Sequence, residues 1–490
     1  MTMDQSRAPI VESLRSQEKQ DSVSFGPPGH ESGKGAPDDV KHLLGEQVFK
    51  GDLATQKGID DRLESKRIRQ DAERLAAEAW GAAHCFFSTN GTSLSNHVAM
   101  LSVARPGDTV LVARNSHKSL ISACIVGHVK PVFLEADRDP VWDIEHGISP
   151  AELERALDAN PDAKAVFVVS PTYFGVTSDI ESLSAICHRR GIPLVVDEAW
   201  GPHFPFHPEM PKAAIRSGAD ISVGSIHKTM AGLGQASIML LQSKLVDLVQ
   251  FELCYDLFES TSPSVPILAT IDASRRQFVH EGKEILEEQL RLARYARAEL
   301  AKIDGIRVMG KEVIDGKGRF ALDETKVLFD ISGLGVTGFA AEDWLMSEEQ
   351  LTFSLSDDRH LLATFMVGTD EHMTKQMLSA VQKMARWARS YEAHDKSRPE
   401  KMPERRELGT EMVMSPSDAF FANAEHVPLE RAVGRIAAQM VSPYPPGIPR
   451  LLPGQKISAV HVAFLRESLE AGAFMMDASI ANEGKIRVVA

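Results

Sequence analysis

The chain predicts an α/β protein whose sheet is mostly parallel, and three observations carry that prediction. Short apolar runs alternate with amphipathic stretches over roughly 180 residues after Gly81. Several connections close at glycine, as at Gly191 and Gly218. Hydrophobic content of 43% beside 25% charged residues is that of a globular chain with a substantial core. At 490 residues, the length calls for more than one domain.

Candidate strands are His84–Phe87, Thr109–Ala113, Pro131–Leu134, Ala165–Val169, Leu194–Val196, Ile221–Val223 and Ser237–Leu241. Helical stretches lie among them at Leu94–Ala104, Pro150–Asp158, Ile180–Arg190 and Met210–Ser217, and Arg62–Trp80 precedes them. A seven-stranded sheet with helices on both faces accounts for this order. The first forty-five residues are polar and broken by Pro27, Pro28 and Pro37, which reads as an extended arm (1–45). A large domain follows (46–265). Ile267–Ile303 then reads as one long charged helix linking to a smaller α/β unit (266–395), with strands at Val327–Ile331 and Leu351–Leu355 and a helix at Glu371–His394. A charged, proline-bearing linker at 393–407 opens a C-terminal subdomain (396–490), with a helix near Glu430–Val441 before the proline-dense 441–454.

Charge and cysteine narrow the function. Lys and Arg number 54 against 68 Asp and Glu, a net charge of −14, which disfavours nucleic acid as a partner. No apolar run approaches the ~20 residues that span a bilayer, so no membrane role is expected. Residues 1–30 lack the basic-then-apolar order of a signal peptide. Cys85, Cys124, Cys187 and Cys254 form no CxxC pair and read as reduced core residues of a cytoplasmic protein.

The informative segment is Gly224-Ser225-Ile226-His227-Lys228-Thr229, set between two strand-like runs. An isolated lysine there is better read as a polar loop residue. However, Val195-Val196-Asp197-Glu198-Ala199-Trp200-Gly201 is an apolar strand ending in an acid, and in parallel α/β sheets sites form at the carboxyl ends of strands. Asp197 and Lys228 thus share one crevice in this reading. Pyridoxal phosphate needs such a pair: an amine for its Schiff base and a carboxylate to keep the pyridine nitrogen protonated. A phosphate cradle is offered by Ser88-Thr89-Asn90-Gly91-Thr92-Ser93, which follows a strand and opens a helix. Alone, a serine- and threonine-rich helix cap is commonplace.

Six motifs then occur in order: S-T-N-G-T-S, N-S-H-K-S (Asn115–Ser119), D-E-A-W-G (Asp197–Gly201), S-I-H-K (Ser225–Lys228), T-S-P-S (Thr261–Ser264) and P-Y-P-P-G-I-P (Pro443–Pro449). The set resembles the prokaryotic ornithine/lysine/arginine decarboxylases from about Gly26 to about Gly454, in a short form without the N-terminal wing domain. The resemblance implies PLP fold type I, with the seven-stranded sheet in a large domain and a smaller C-terminal α/β domain. It implies pyridoxal 5'-phosphate as cofactor, with Lys228 forming the Schiff base and Asp197 on the pyridine nitrogen. His117 would stack on the ring opposite Ala199, Trp200 would lie near its 3'-oxygen, and Gly91, Thr92, Ser93, Ser225 and His227 would surround the phosphate. Thr261 or Ser262 would reach the phosphate of a neighbouring subunit, making the active unit a homodimer or a higher oligomer built from dimers. Three positions depart from the family pattern: Gly26–Gly33 in place of T-P-G-H-K-G-G, Ile226 in place of threonine, and Pro453-Gly454-Gln455 in place of P-G-E.

The implied reaction is decarboxylation of arginine, lysine or ornithine to an amine and CO2, a step of amino-acid and polyamine metabolism. The replacing proton comes from Lys228 or His227. Rival readings are an oxygen-using PLP enzyme on the same scaffold, an aminotransferase, and an inactive relative acting as a binding or regulatory protein. No metal is expected: His203 and His207 are four apart, but Pro205 and Pro208 break that helix.

Overall fold

The computed structural model describes residues 3–18, 25–54, 59, 67–390, 408, 411–444, 447–470, 472–475 and 478–490. Seven strands make the main sheet: β1 (His84–Ser88), β2 (Thr109–Ala113), β3 (Lys130–Leu134), β4 (Val166–Val169), β5 (Leu194–Asp197), β6 (Ile221–Ser225) and β7 (Ser237–Leu241). Their spatial order is β1-β7-β6-β5-β4-β2-β3. The pairs β2–β3, β2–β4 and β5–β6 are parallel, as expected. β7 runs antiparallel to both β1 and β6. Its reversal follows from the connection: residues 226–236 are too few for the crossover of a dozen or more residues that a parallel return needs. Every residue of β5, β6 and β7 is buried, as expected of strands covered on both faces, and the polar residues Ser222, Ser225 and Ser237 are buried with them.

The chain forms two compact units. The first comprises Met1–Ser102 and Pro193–Glu287. It contains helices α1 (Pro9–Glu18), α2 (Ile68–Trp80) and α3 (Gly91–Val103). The N-terminal segment is not extended throughout. Ala8 and Ile10 are fully buried, and the amide of Ile10, at the start of α1, donates to Asp272 Oδ2 at 2.9 Å. Asp272 is itself paired with the buried Arg275, whose guanidinium also donates to the carbonyls of Gln5 and Arg7. A buried ion pair therefore satisfies both the start of the helix and the segment before it. α2 ends where the sequence places its stop: Gly81 sits at φ +81 and its amide reaches back to Ala77 and Glu78. Residues 62–66 of that expected helix lie outside the described residues. The stretch expected as helix from Met210 is reduced to a 3-10 turn at Ala214–Ser217, closed by Gly218 at φ +95.

The second unit comprises Val103–Ile192 and Glu288–Ala490. β2, β3 and β4 lie here with α4 (Lys118–Gly127) and α5 (Ile180–Arg189). α6 (Leu248–Phe258) and the long α7 (Val265–Leu300) precede the second part of this unit. A four-stranded antiparallel sheet follows, built from β8 (Arg307–Val308), β9 (Lys326–Asp330), β10 (Leu355–Ser356) and β11 (His360–Thr364) in the order β8-β9-β11-β10. α8 (Gly338–Glu349) and α9 (Glu371–Ser390) cover it, joining Leu345, Val381 and Met384 to Phe329 and Leu361 in one core. The strand expected at Leu351–Leu355 is shorter and later, at Leu355–Ser356.

The helix expected near Glu430–Val441 does not form. Only a 3-10 turn at Leu429–Arg431 is present, and Gly434 at φ +82 ends it. Beyond it Ile436, Ala437 and Val441 make isolated β-bridges to Lys456, Val488 and Leu451; the amides of Ala437 and Ile457 donate to the carbonyls of Gln455 and Arg435 in the first of them, and the amide of Val441 donates to the carbonyl of Leu451 in the last. The linker at 393–407 lies outside the described residues, as do Pro445 and Pro446. Among the described residues, no helix is long and apolar enough to cross a membrane.

Candidate active site

Within the first unit, the carboxyl ends of β5 and β6 lie side by side, with Asp197 opposite Val223 in register. Asp197 closes β5 and is 4% exposed. One carboxylate oxygen accepts the amide of Ala199 at 3.1 Å, and the other accepts the side-chain amide of Asn96 at 2.9 Å. Ser225 closes β6, and a single helical turn, Ile226–Thr229, carries His227 and Lys228 beyond it. Gly232, two positions after Met230, keeps this turn tight: a Cβ there would stand 2.8 Å from that of Ala236 and 2.9 Å from Ile226 Cγ2. The loop is tied to α7, where Ser274 and Thr270 accept the amides of Ala231 and Leu233.

Lys228 extends over Trp200, its Nζ 4.7 Å from the ring centroid. Among the described residues its amine makes no hydrogen bond or ion pair. Burial lowers its pKa from the ordinary lysine value, with the Asp197 charge opposing. The outcome is a larger fraction of neutral, nucleophilic amine. Burial likewise lowers His227; its Nδ1 lies 2.9 Å from the carbonyl of Ala236, so Nδ1 carries the hydrogen and Nε2 is the acceptor of the neutral ring.

In the same unit, α3 begins at Gly91, whose φ of +68 suits glycine. The Gly91 amide is taken by the carbonyl of Gln235, while Thr92 Oγ1 and Ser225 Oγ lie 2.9 Å apart. Ser93 is exposed on the first turn. The hydroxyl of Thr92 on the first turn of α3 and that of Ser225 are groups that could hold a phosphate-class anion, and the Lys228 amine and Asp197 carboxylate are of the kinds pyridoxal phosphate uses. Of the expected residues, Gly91, Thr92, Asp197, Ala199, Trp200, Ser225, His227 and Lys228 thus sit in this unit around adjoining strand ends.

Thr261 and Ser262 are exposed in a turn in which the amide of Ser262 donates to Ser260 Oγ. They follow Glu259, a buried acid that accepts the hydroxyl of Thr89 at 3.2 Å. His117 belongs to the second unit. There it caps α4, its Nδ1 accepting from the amide and hydroxyl of Ser119, while the neighbouring Asn115 donates to the carbonyl of His146. His207 does not pair with His203: its Nε2 meets Glu287 at 3.0 Å and its Nδ1 accepts the amide of Glu209.

Asn96 and Glu198 were not anticipated. The available signal for Asn96 was a polar residue at a buried phase of the helix after the Gly91 cap. Glu198 accepts the amide of Ala214 and the hydroxyl of Ser222, and full burial pushes its pKa up from 4.5 to about 8. The native state therefore holds this proton in a range where the unfolded chain releases it. Between pH 4.5 and about 8 its contribution to stability falls as pH rises, by a few kcal/mol in order of magnitude. Glu198→Gln keeps the shape and abolishes the charge. Urea titrations at steps across that range should show the wild-type slope flattened in this variant; an unchanged slope would place the linkage elsewhere.

Family models described as "Orn/Lys/Arg decarboxylase, major domain" and "Orn/Lys/Arg decarboxylase, C-terminal domain" match residues 8–372 and 400–473. The arginine decarboxylase of Bacillus subtilis (strain 168) is 35% identical over 470 residues, covering 96% of this chain and 95% of that protein. The lysine decarboxylase of Hafnia alvei is 24% identical, covering 95% of this chain and 75% of that protein. Among solved structures, the E. coli constitutive lysine decarboxylase superposes with a TM-score of 0.82 at 22% identity, over 99% of this chain and 82% of that one. At that identity the likeness establishes the fold.

Proposed function

This chain belongs to the Orn/Lys/Arg decarboxylase family and has its PLP fold type I; we propose that it is a pyridoxal-phosphate-dependent carboxy-lyase whose substrate is arginine. The observation that carries the reading is the placement of Asp197 at the end of β5 and of Lys228 in the turn that follows the adjacent β6, where the Asp197 charge acts on the amine, in a chain 35% identical to relatives named arginine decarboxylase. In that role Lys228 would hold the cofactor, Asp197 would serve its ring nitrogen, and Thr92, Ser93 and Ser225 would hold its phosphate. When bound, the cofactor supplies an electron sink for the pair left as the bond from Cα to the carboxylate breaks. The chain's own groups do the rest. Burial keeps the Lys228 amine reactive, and the fixed charge of Asp197 supplies preorganised electrostatics. Lys228 or His227 delivers the proton that replaces CO2. His117 is proposed as the ring-stacking group on the family resemblance. The four cysteines are free and buried, which supports a reducing, cytoplasmic setting.

A homodimer is part of this proposal. α6 leads directly to Thr261, and Val249, Leu253 and Leu257, spaced four apart on it, are 63%, 61% and 74% exposed. An apolar row of this kind is suited to cover by a second copy of the chain, which would bring Thr261 and Ser262 to the partner's phosphate.

The test is incubation of the cofactor-loaded protein with arginine, lysine and ornithine while CO2, oxygen uptake and hydrogen peroxide are followed together. Arginine is expected to give one CO2 and one amine per turnover with no oxygen consumed. Preference for lysine or ornithine would overturn the substrate, and stoichiometric oxygen uptake would overturn the reaction class.

A further inference from the structure

We infer that Asn96 is a positioning residue that fixes the Asp197 carboxylate for the ring nitrogen, an inference that rests on the reading of Asp197 given above. Asn96 is 1% exposed and donates to Asp197 Oδ2 at 2.9 Å, while the Ala199 amide occupies Oδ1. Both donors are N–H groups, so each carboxylate oxygen has its own donor. With each oxygen held from a different side, rotation of the carboxylate about its χ2 angle would break one hydrogen bond or the other.

The helix that supplies Asn96 makes this more than an isolated contact. Thr92, Ser95 and Asn96 share one face of α3, being three and four residues apart. Each meets the end of a different strand: Thr92 the hydroxyl of Ser225 on β6, Ser95 that of Ser237 on β7 at 3.0 Å, and Asn96 the carboxylate that ends β5. One helix thereby sets the anion-binding hydroxyls and the acid in fixed register. A purely packing residue at this phase would be apolar, like Leu94, Val98 and Ala99 beside it, all buried.

The experiment reads the ring nitrogen directly and without turnover. Protein loaded with pyridoxal phosphate labelled with 15N in the ring is examined by NMR, where protonated and neutral pyridine nitrogens resonate far apart. Wild type is expected to show the protonated form. Asn96→Leu, nearly isosteric and without a donor, and Asn96→Ala should both move the resonance toward the neutral form. They should lower kcat by about tenfold to a hundredfold, the effect of losing a hydrogen bond to a charged group, with KM little changed. With a cofactor whose ring nitrogen is replaced by carbon, wild type and both variants should turn over at the same rate. Two variants are used so that a folding failure in one leaves the other to decide. If Asp197→Asn moves the resonance and the folded Asn96 variants do not, the positioning role is wrong while the reading of Asp197 stands. If Asp197→Asn itself leaves the nitrogen protonated, the assignment of Asp197 falls and takes this inference with it.

Discussion

Lys228→Ala will give a folded protein with no measurable decarboxylation. The amine makes no hydrogen bond or ion pair among the described residues, and its contact is with the Trp200 ring at 4.7 Å, so truncation costs stability only ~1 kcal/mol. Catalysis loses far more, since removing a covalent nucleophile costs roughly 10⁴–10⁶-fold where it has been measured. Borohydride treatment of the cofactor-loaded wild type should fix the label on the peptide carrying Lys228, and a label on any other lysine would refute the assignment. The same variant tests the shared site. Mixed with Thr261→Ala/Ser262→Ala subunits, it should regain activity, because one site of each hybrid combines an intact Lys228 with an intact donated Thr261 and Ser262. Hybrids that form yet stay inactive would leave Thr261–Ser264 as a turn ahead of α7 and nothing more.

The parts legible in the sequence were those set by short-range patterns. Leu194–Asp197 and Ile221–Ser225 are buried throughout, and each ends in a polar residue at its exit, Asp197 and Ser225, where the candidate site residues gather. Gly81 and Gly91 were readable because only positive φ values fit those turns. The direction of β7 was not legible by composition, because a strand buried on both faces looks the same whichever way it runs. It was legible in principle from the short connection behind it. The helix at Pro9–Glu18 escaped notice because its support, Asp272 and Arg275, lies more than 250 residues away. The C-terminal segment failed for the opposite reason. Its apolar residues have helical spacing, but Gly434 and the partners at 455–457 draw it into bridges. Asn96 belongs to the same class as Asp272: its meaning is in the residue it faces, 101 positions distant.

Asp197→Asn is expected to lower kcat by at least about 10²-fold, the scale seen when a preorganised electrostatic group is removed. The substitution keeps the outline of the side chain and removes one charge, which is what would hold a proton on the ring nitrogen. It also disturbs the wild-type hydrogen bonds. Both oxygens of Asp197 accept from N–H donors, Asn96 on one side and Ala199 on the other. An asparagine here has only one acceptor, so either its NH2 faces one of those donors or Asn96 turns its amide over to present its oxygen, and in both cases a buried donor loses its acceptor. That mismatch costs about 1–3 kcal/mol, within what a domain of this size tolerates, so a folded variant is expected. Asp197→Glu retains the charge but moves it one methylene along a crevice whose donors are fixed, and should recover only part of the rate. The measurement is kcat beside the urea midpoint for all three proteins. A near-normal rate in folded Asp197→Asn would mean that the acid serves to hold α3 against β5, and that the electron sink is sustained without its charge.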